Sequence, residues 1–211
     1  MQKITADKIR ISNTGSGMND ALNLTEHIAD VMALNKRNKF HARLLAEELF
    51  SMVRAITGEF SAEYWLEADN VNKTFILHLD AKAELDYSKK REFISASTKG
   101  TNTARRGIME RIRDIIQAGL YVFEESAEVQ SEYGTGIFNY GAMGMMMDDS
   151  GMSEAIYSWS MQKYKNDVQK ENDSDSWDEL EKSIIANIAD EVQVGVSNDS
   201  ITLTIYKTFR Q

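Results

Sequence analysis

Cysteine and proline are both missing from the 211 residues. Without cysteine the chain forms no disulfide, builds no thiolate metal site and offers no thiol nucleophile. Without proline, its turns fall to Gly, Asn, Asp and Ser. No run approaches the roughly 20 apolar residues that cross a bilayer as a helix. The first eight residues also lack the apolar core of a signal peptide. These absences point to a cytoplasmic protein with no membrane partner. Basic residues are the minority, 24 against 33 acidic ones, for a net charge of −9. A nucleic-acid surface needs a basic stripe strong enough to overcome that field, and none of sufficient length is present. His27, His41 and His78 show neither H-x-x-x-H nor H-E-x-x-H spacing, which leaves zinc without a ligand set. No serine sits in a G-x-S-x-G elbow.

What is present reads as one domain with a real core, since the length suffices and the apolar and charged fractions are ordinary. Ile4 to Ile11 reads as a strand, closed by a turn over 13–17. Leu22, Leu24, Ile28, Val31, Met32 and Leu34 recur at helical spacing and predict a helix over 18–34. A stronger helix runs over 38–57, where Leu45, Leu49, Met52, Val53 and Ile56 make one face and Gly58 takes the C-terminal cap. The period then changes to two. Phe60, Ala62, Tyr64 and Leu66 alternate with polar residues, as do Phe75, Leu77, Leu79 and Ala81 beyond a turn over 69–72. That is a hairpin with one buried face.

Helices are expected again over 87–96 and 103–120, and an irregular lid over 126–151 that is rich in Gly and Met. A helix over 152–169 follows, then a polar linker over 170–175. Trp159 and Trp177 fall on helical apolar stripes and read as core. Ser176 and Glu179 form a capping box ahead of Leu180, Ile184, Ile185 and Ile188. A second hairpin pairs Val192, Val194 and Val196 with Ile201, Leu203 and Ile205 across a turn at 197–200. The fold class is therefore α+β: an antiparallel or mixed sheet of about five strands, with helices packed on one face. Residues 1–211 make a single domain in which 120–175 is an insertion.

The order of these elements and a few local motifs resemble the histidine-kinase-like ATPase superfamily, in particular bacterial anti-sigma-factor serine kinases. The segment from Leu44 to Met52 falls where that family's magnesium-binding helix lies, and Glu47 takes the place of its glutamate. Ser51 stands where the family has asparagine. The stretch from Leu79 to Asp86 follows the hairpin and puts Ala83 at the adenine-reading position, without the two glycines of the box. Asp80 or Asp86 substitutes only through a shift in register, and a one-residue shift turns a strand's side chains to the other face. Ser97, Thr98 and Lys99 match a Thr-Thr-Lys stretch, and Arg106 with Gly107 keeps one glycine of the phosphate loop. The resemblance covers residues 1–120 and requires the two hairpins to share one sheet.

The resemblance implies ATP and magnesium as ligands, with Glu47 as general base and Ser51 as a weak hydroxyl ligand. Thr98, Lys99, Gly100, Arg106 and Gly107 would surround the phosphates. Lys99, Arg105 and Arg106 beside a helix start form an anion site in their own right, or satisfy acidic neighbours. Glu47 and Ser51, one turn apart and off the apolar face, address one object or are simply solvated. Met143, Met145, Met146, Met147 and Met152 read as core filling or as an adaptable partner surface. The expected function is a regulatory protein on this scaffold that binds a protein partner, with weak or absent ATP binding. The alternatives are an active ATP-dependent serine kinase and a non-catalytic adaptor, with a homodimer among its assemblies.

Overall fold

The computed structural model describes residues 3–12, 14–56, 60–83, 112, 157–171, 174–197 and 200–210. Strands β1 (Lys3–Thr5) and β2 (Ile9–Ser12) precede helices α1 (Met18–Val31) and α2 (Lys36–Ile56). The hairpin β3 (Phe60–Asp69) and β4 (Thr74–Ala83) comes next. Then follow β5 (Tyr157–Ser160), α3 (Met161–Glu171), α4 (Ser174–Lys182), α5 (Ile184–Ile188), β6 (Glu191–Ser197) and β7 (Ser200–Thr208). The seven strands form one sheet in the order β1-β3-β4-β7-β6-β5, with β2 also paired to β3. Every pairing is antiparallel. The two hairpins share this sheet through β4 and β7, which pair from Thr74↔Thr208 to Lys82↔Ser200. Among the described residues seven strands stand where about five were expected, because the N-terminal strand is broken in two and β5 was not anticipated.

Period-two sequence becomes a two-faced sheet. Ala62, Tyr64, Leu66 and Ala68 of β3 are buried, as are Phe75, Leu77, Leu79 and Ala81 of β4. The register carries the same face onto Ile201, Leu203 and Ile205 of β7 and Val192, Val194 and Val196 of β6. Helices cover it. α1 and α2 pack on β2, β3, β4 and β7, while α3 packs on β5 and β6. Leu45, Leu49 and Met52 of the predicted α2 stripe enter the same core, with Ala42 and Ala46 beside them, and the side chains of Val53 and Ile56 lie outside the described residues. Burying each leucine or methionine among them favours the fold by about 1.5–3 kcal/mol. Tyr64 reaches through this layer: its hydroxyl donates to Thr25 Oγ1 at 2.6 Å, and Thr25 donates to the Ala21 carbonyl at 2.8 Å. That relay satisfies every polar atom it buries, and burial pushes the Tyr64 phenol well above its usual range.

Local chemistry sets the boundaries. Gly17 precedes α1 with φ +73°, and a Cβ there would stand 2.1 Å from the Arg10 carbonyl oxygen. Only glycine fits. α2 begins two residues before its predicted start because Asn35 caps it, its Oδ1 accepting from the Asn38 N–H at 2.9 Å. Asp69 builds the β3–β4 turn by accepting from the N–H groups of Val71 and Asn72 at 2.8 and 3.3 Å. Those bonds hold its carboxyl below the usual range. Ile4 to Ile11 is not one strand: it breaks over residues 6–8, and both halves pair with β3.

The helix expected over 152–169 is corrected. Residues 157–160 pair with β6 as the edge strand β5, and the helix starts at Met161. Its first turn is capped from a distance. Glu191, 30 residues on, accepts at Oε1 from the Met161 N–H at 2.8 Å and the Val192 N–H at 2.9 Å. It also accepts from the Gln162 N–H and from Ser160 Oγ, both at 3.2 Å. A carboxylate on a helix N-terminus also faces the positive end of the helix dipole. α4 begins at Ser174, ahead of the Ser176 capping-box position, and Ser183 caps α5 by accepting from the Ala186 N–H at 3.3 Å. Trp177 is not core. It is 41% exposed and donates from Nε1 to Glu181 at 3.0 Å. Of the stretch 120–175, residues 157–171, 174 and 175 are described. The expected helices over 87–96 and 103–120, the lid over 126–151 with its Met cluster, and Gly58 lie outside the described residues, apart from Ile112, a buried helical member of the core.

Candidate functional site

Two surfaces carry chemistry that packing does not require: the outer side of α2 and the uncovered face of the sheet. On α2, Glu47 and Ser51 are both exposed, one turn apart. Glu47 Oε1 accepts from Arg43 Nε at 2.9 Å, and Arg43 Nη1 reaches across to Glu26 of α1 at 2.5 Å. Glu47 thus belongs to an ion-pair ladder between α1 and α2. Its neighbour differs. Glu48 is half-buried, has no hydrogen bond among the described residues, and has its carboxyl raised by burial first and by the Glu47 charge second. The two adjacent acids thus differ in setting: Glu47 is ion-paired at the surface, and Glu48 is half-buried. Spacing could not distinguish them, because either carboxylate precedes a polar or sulfur-bearing residue by four.

The strand beneath offers no acceptor on its helical side. Positions 75, 77, 79 and 81 of β4 are Phe, Leu, Leu and Ala, all buried. Asp80 lies opposite Glu63 and Thr202, on the face away from the helices. It therefore cannot read a base bound between α2 and the sheet. Asp86, Thr98, Lys99, Gly100, Arg106 and Gly107 lie outside the described residues, as does the side chain of Ala83. Among the described residues no three His, Asp or Glu side chains cluster to hold a metal ion.

The uncovered face has its own constellation. Trp65 and His78 sit opposite each other and stack, ring centroids 4.8 Å apart and planes 8° from parallel. Lys8 closes the other side of the indole, its Nζ 4.5 Å from the ring centroid and 2.8 Å from Glu63 Oε2. His78 Nδ1 lies 3.5 Å from Thr204 Oγ1. Its Nε2 is buried without a hydrogen bond, and Glu67 Oε1 stands 3.7 Å away. Burial holds the imidazole below its ordinary pKa against the pull of Glu67. Sequence reading missed this group, although a Trp in the polar phase of a two-residue period was its visible signal.

Comparison with protein-family models, with curated proteins and with solved structures finds no match for the chain. The architecture defines it as an α+β protein with an open antiparallel sheet helix-covered on one face.

Proposed function

We propose that this chain is a regulatory protein on a histidine-kinase-like scaffold that binds a protein partner and has weak or absent ATP binding. The observation that carries the reading is the β4 strand under α2. α2 precedes the β3–β4 hairpin and both hairpins join one sheet, yet every described helix-facing position of β4 is apolar and buried. An adenine placed there would lose its water contacts without gaining an acceptor, at a cost of about 1–3 kcal/mol for each unsatisfied group. Calorimetric titration with ATP and ADP, with and without magnesium, tests this. The expected result is no saturable heat at micromolar nucleotide.

A second reading, an active ATP-dependent serine kinase, is favoured by Glu48, whose raised carboxyl suits a general base better than the ion-paired Glu47. Micromolar binding, about −8 kcal/mol, with magnesium-dependent turnover lost in Glu48→Gln and kept in Glu47→Gln, would replace the first reading with this one.

A further inference from the structure

One end of the molecule gathers features that the core does not use. Phe40 is 61% exposed on α2, whereas Leu45, Leu49, Phe50 and Met52 of the same helix are buried. Val31 and Val71 are also exposed. Their elements meet here: Lys39 pairs with Asp30, next to Val31, and Lys73 Nζ donates to the Met32 carbonyl at 2.7 Å, bringing in the β3–β4 turn. Asn38 Nδ2 donates to the Arg210 carbonyl at 3.2 Å, bringing in the chain beyond β7. The acids at this end are engaged, Asp30 with Lys39, Asp190 with Lys207 and Asp69 with the backbone of its own turn. Lys36, Arg37 and Arg210 are exposed and have no ion-pair partner among the described residues. No acidic residue occupies the first turn of α2, so Lys36 and Arg37 stand on the positive end of its dipole, where cations are disfavoured. His41 between them is held below its ordinary pKa by burial first, then by Arg37 and Lys207.

We propose that this end, centred on Phe40, is a docking surface for a short acidic segment of a protein partner that carries an apolar side chain. The inference deepens the partner-binding reading and rests on it. An acidic segment relieves the repulsion among Lys36, Arg37, Arg210 and the helix dipole, and an apolar side chain covers Phe40, a residue type that anchors interfaces. Charge reach decides between occupants. At physiological salt the Debye length is about 8 Å, so a short peptide meets mainly the unpaired local cations. An extended anionic surface such as a membrane also meets the net charge of −9.

The test is fluorescence anisotropy of the full chain with a labelled peptide of glutamates bearing two leucines, at low and high salt, with a lysine-for-glutamate peptide as control. Binding is expected to the acidic peptide alone, to weaken with salt, and to fall about tenfold or more in Phe40→Ser and in Arg37→Glu, with thermal unfolding unchanged in both. Absence of binding, or equal affinity in both variants, overturns the proposal. So does a preference for anionic vesicles that Phe40→Ser abolishes, or a wild-type dimer in sedimentation that Phe40→Ser dissociates. The nucleotide titration is independent of this assay, so loss of the Phe40 surface and loss of the partner-binding reading give different results.

Discussion

The two faces of the sheet obey the same alternation and answer to different physics. The helix-covered face is apolar from β2 to β6, with Ile11, Tyr64, Leu77, Leu203 and Val194 all at 0% exposure. Across the same strands the other face carries Arg10, Glu63, Asp80, Trp65, His78, Thr204 and Gln193, none of them fully buried. On the first face a side chain is fixed by volume, because close-packed interiors register the loss of a methylene. On the second it is fixed only by what it touches, so residues that stack or pair there against the expected solvation are the informative ones.

The largest effect should come from the covered face. Leu77→Ala on the central strand β4 is expected to cost about 2–5 kcal/mol. Thr204→Ala, one strand over on the other face, should stay within about 0.5 kcal/mol. Urea midpoints of the two variants measure the contrast directly, and equal losses would mean that the uncovered face is packed in solution. Glu191 breaks the rule from the other side. It lies in register with Tyr206 on the uncovered face, yet it caps α3, so Glu191→Ala should cost about 1–2 kcal/mol. Loss of amide protection in Met161 and Gln162, read by hydrogen exchange, would place that cost at the cap.

The smallest effect is a pH slope from His78. Its folded pKa is depressed, so the unfolded chain binds the proton more readily. Stability is then full above the unfolded value of about 6.5 and is lost as pH falls through the folded one. His78→Gln should flatten that part of the stability profile, while Glu67→Gln, which removes the opposing charge, should steepen it. A profile identical in wild type and His78→Gln would show the imidazole to be freely solvated.

Much of the covered face was legible before any coordinates, because both hairpins print it in their alternation and α2 prints it at helical spacing. The sheet order was not, since β4 and β7 pair across more than a hundred residues and no local signal records the choice. β5 was misread as helix for a simple reason: a four-residue strand shows the two-residue period only at Tyr157 and Trp159, and Met161, Tyr164 and Val168 continue at once with helical spacing. The cap supplied by Glu191 is equally non-local. At the candidate site, spacing drew attention to Glu47, and nothing local in the sequence separates it from the half-buried Glu48. Glu48 is distinguished from Glu47 only by what packs beside it.

The position of β7 has a consequence for the order in which the molecule is made. It is the last of the described strands in chain order and lies in the interior of the sheet, between β4 and β6. When β4 leaves the ribosome at Ala83, 116 residues separate it from the first residue of β7. At about 5–20 residues per second that interval is roughly 6–23 s. Until then the edge of β4 that pairs with β7 from Thr74 to Lys82 lacks its native partner, the kind of edge that recruits chaperones or aggregates. The nascent N-terminal half is therefore a sheet waiting for its middle, and native pairing is completed only when the final strand slots between its neighbours.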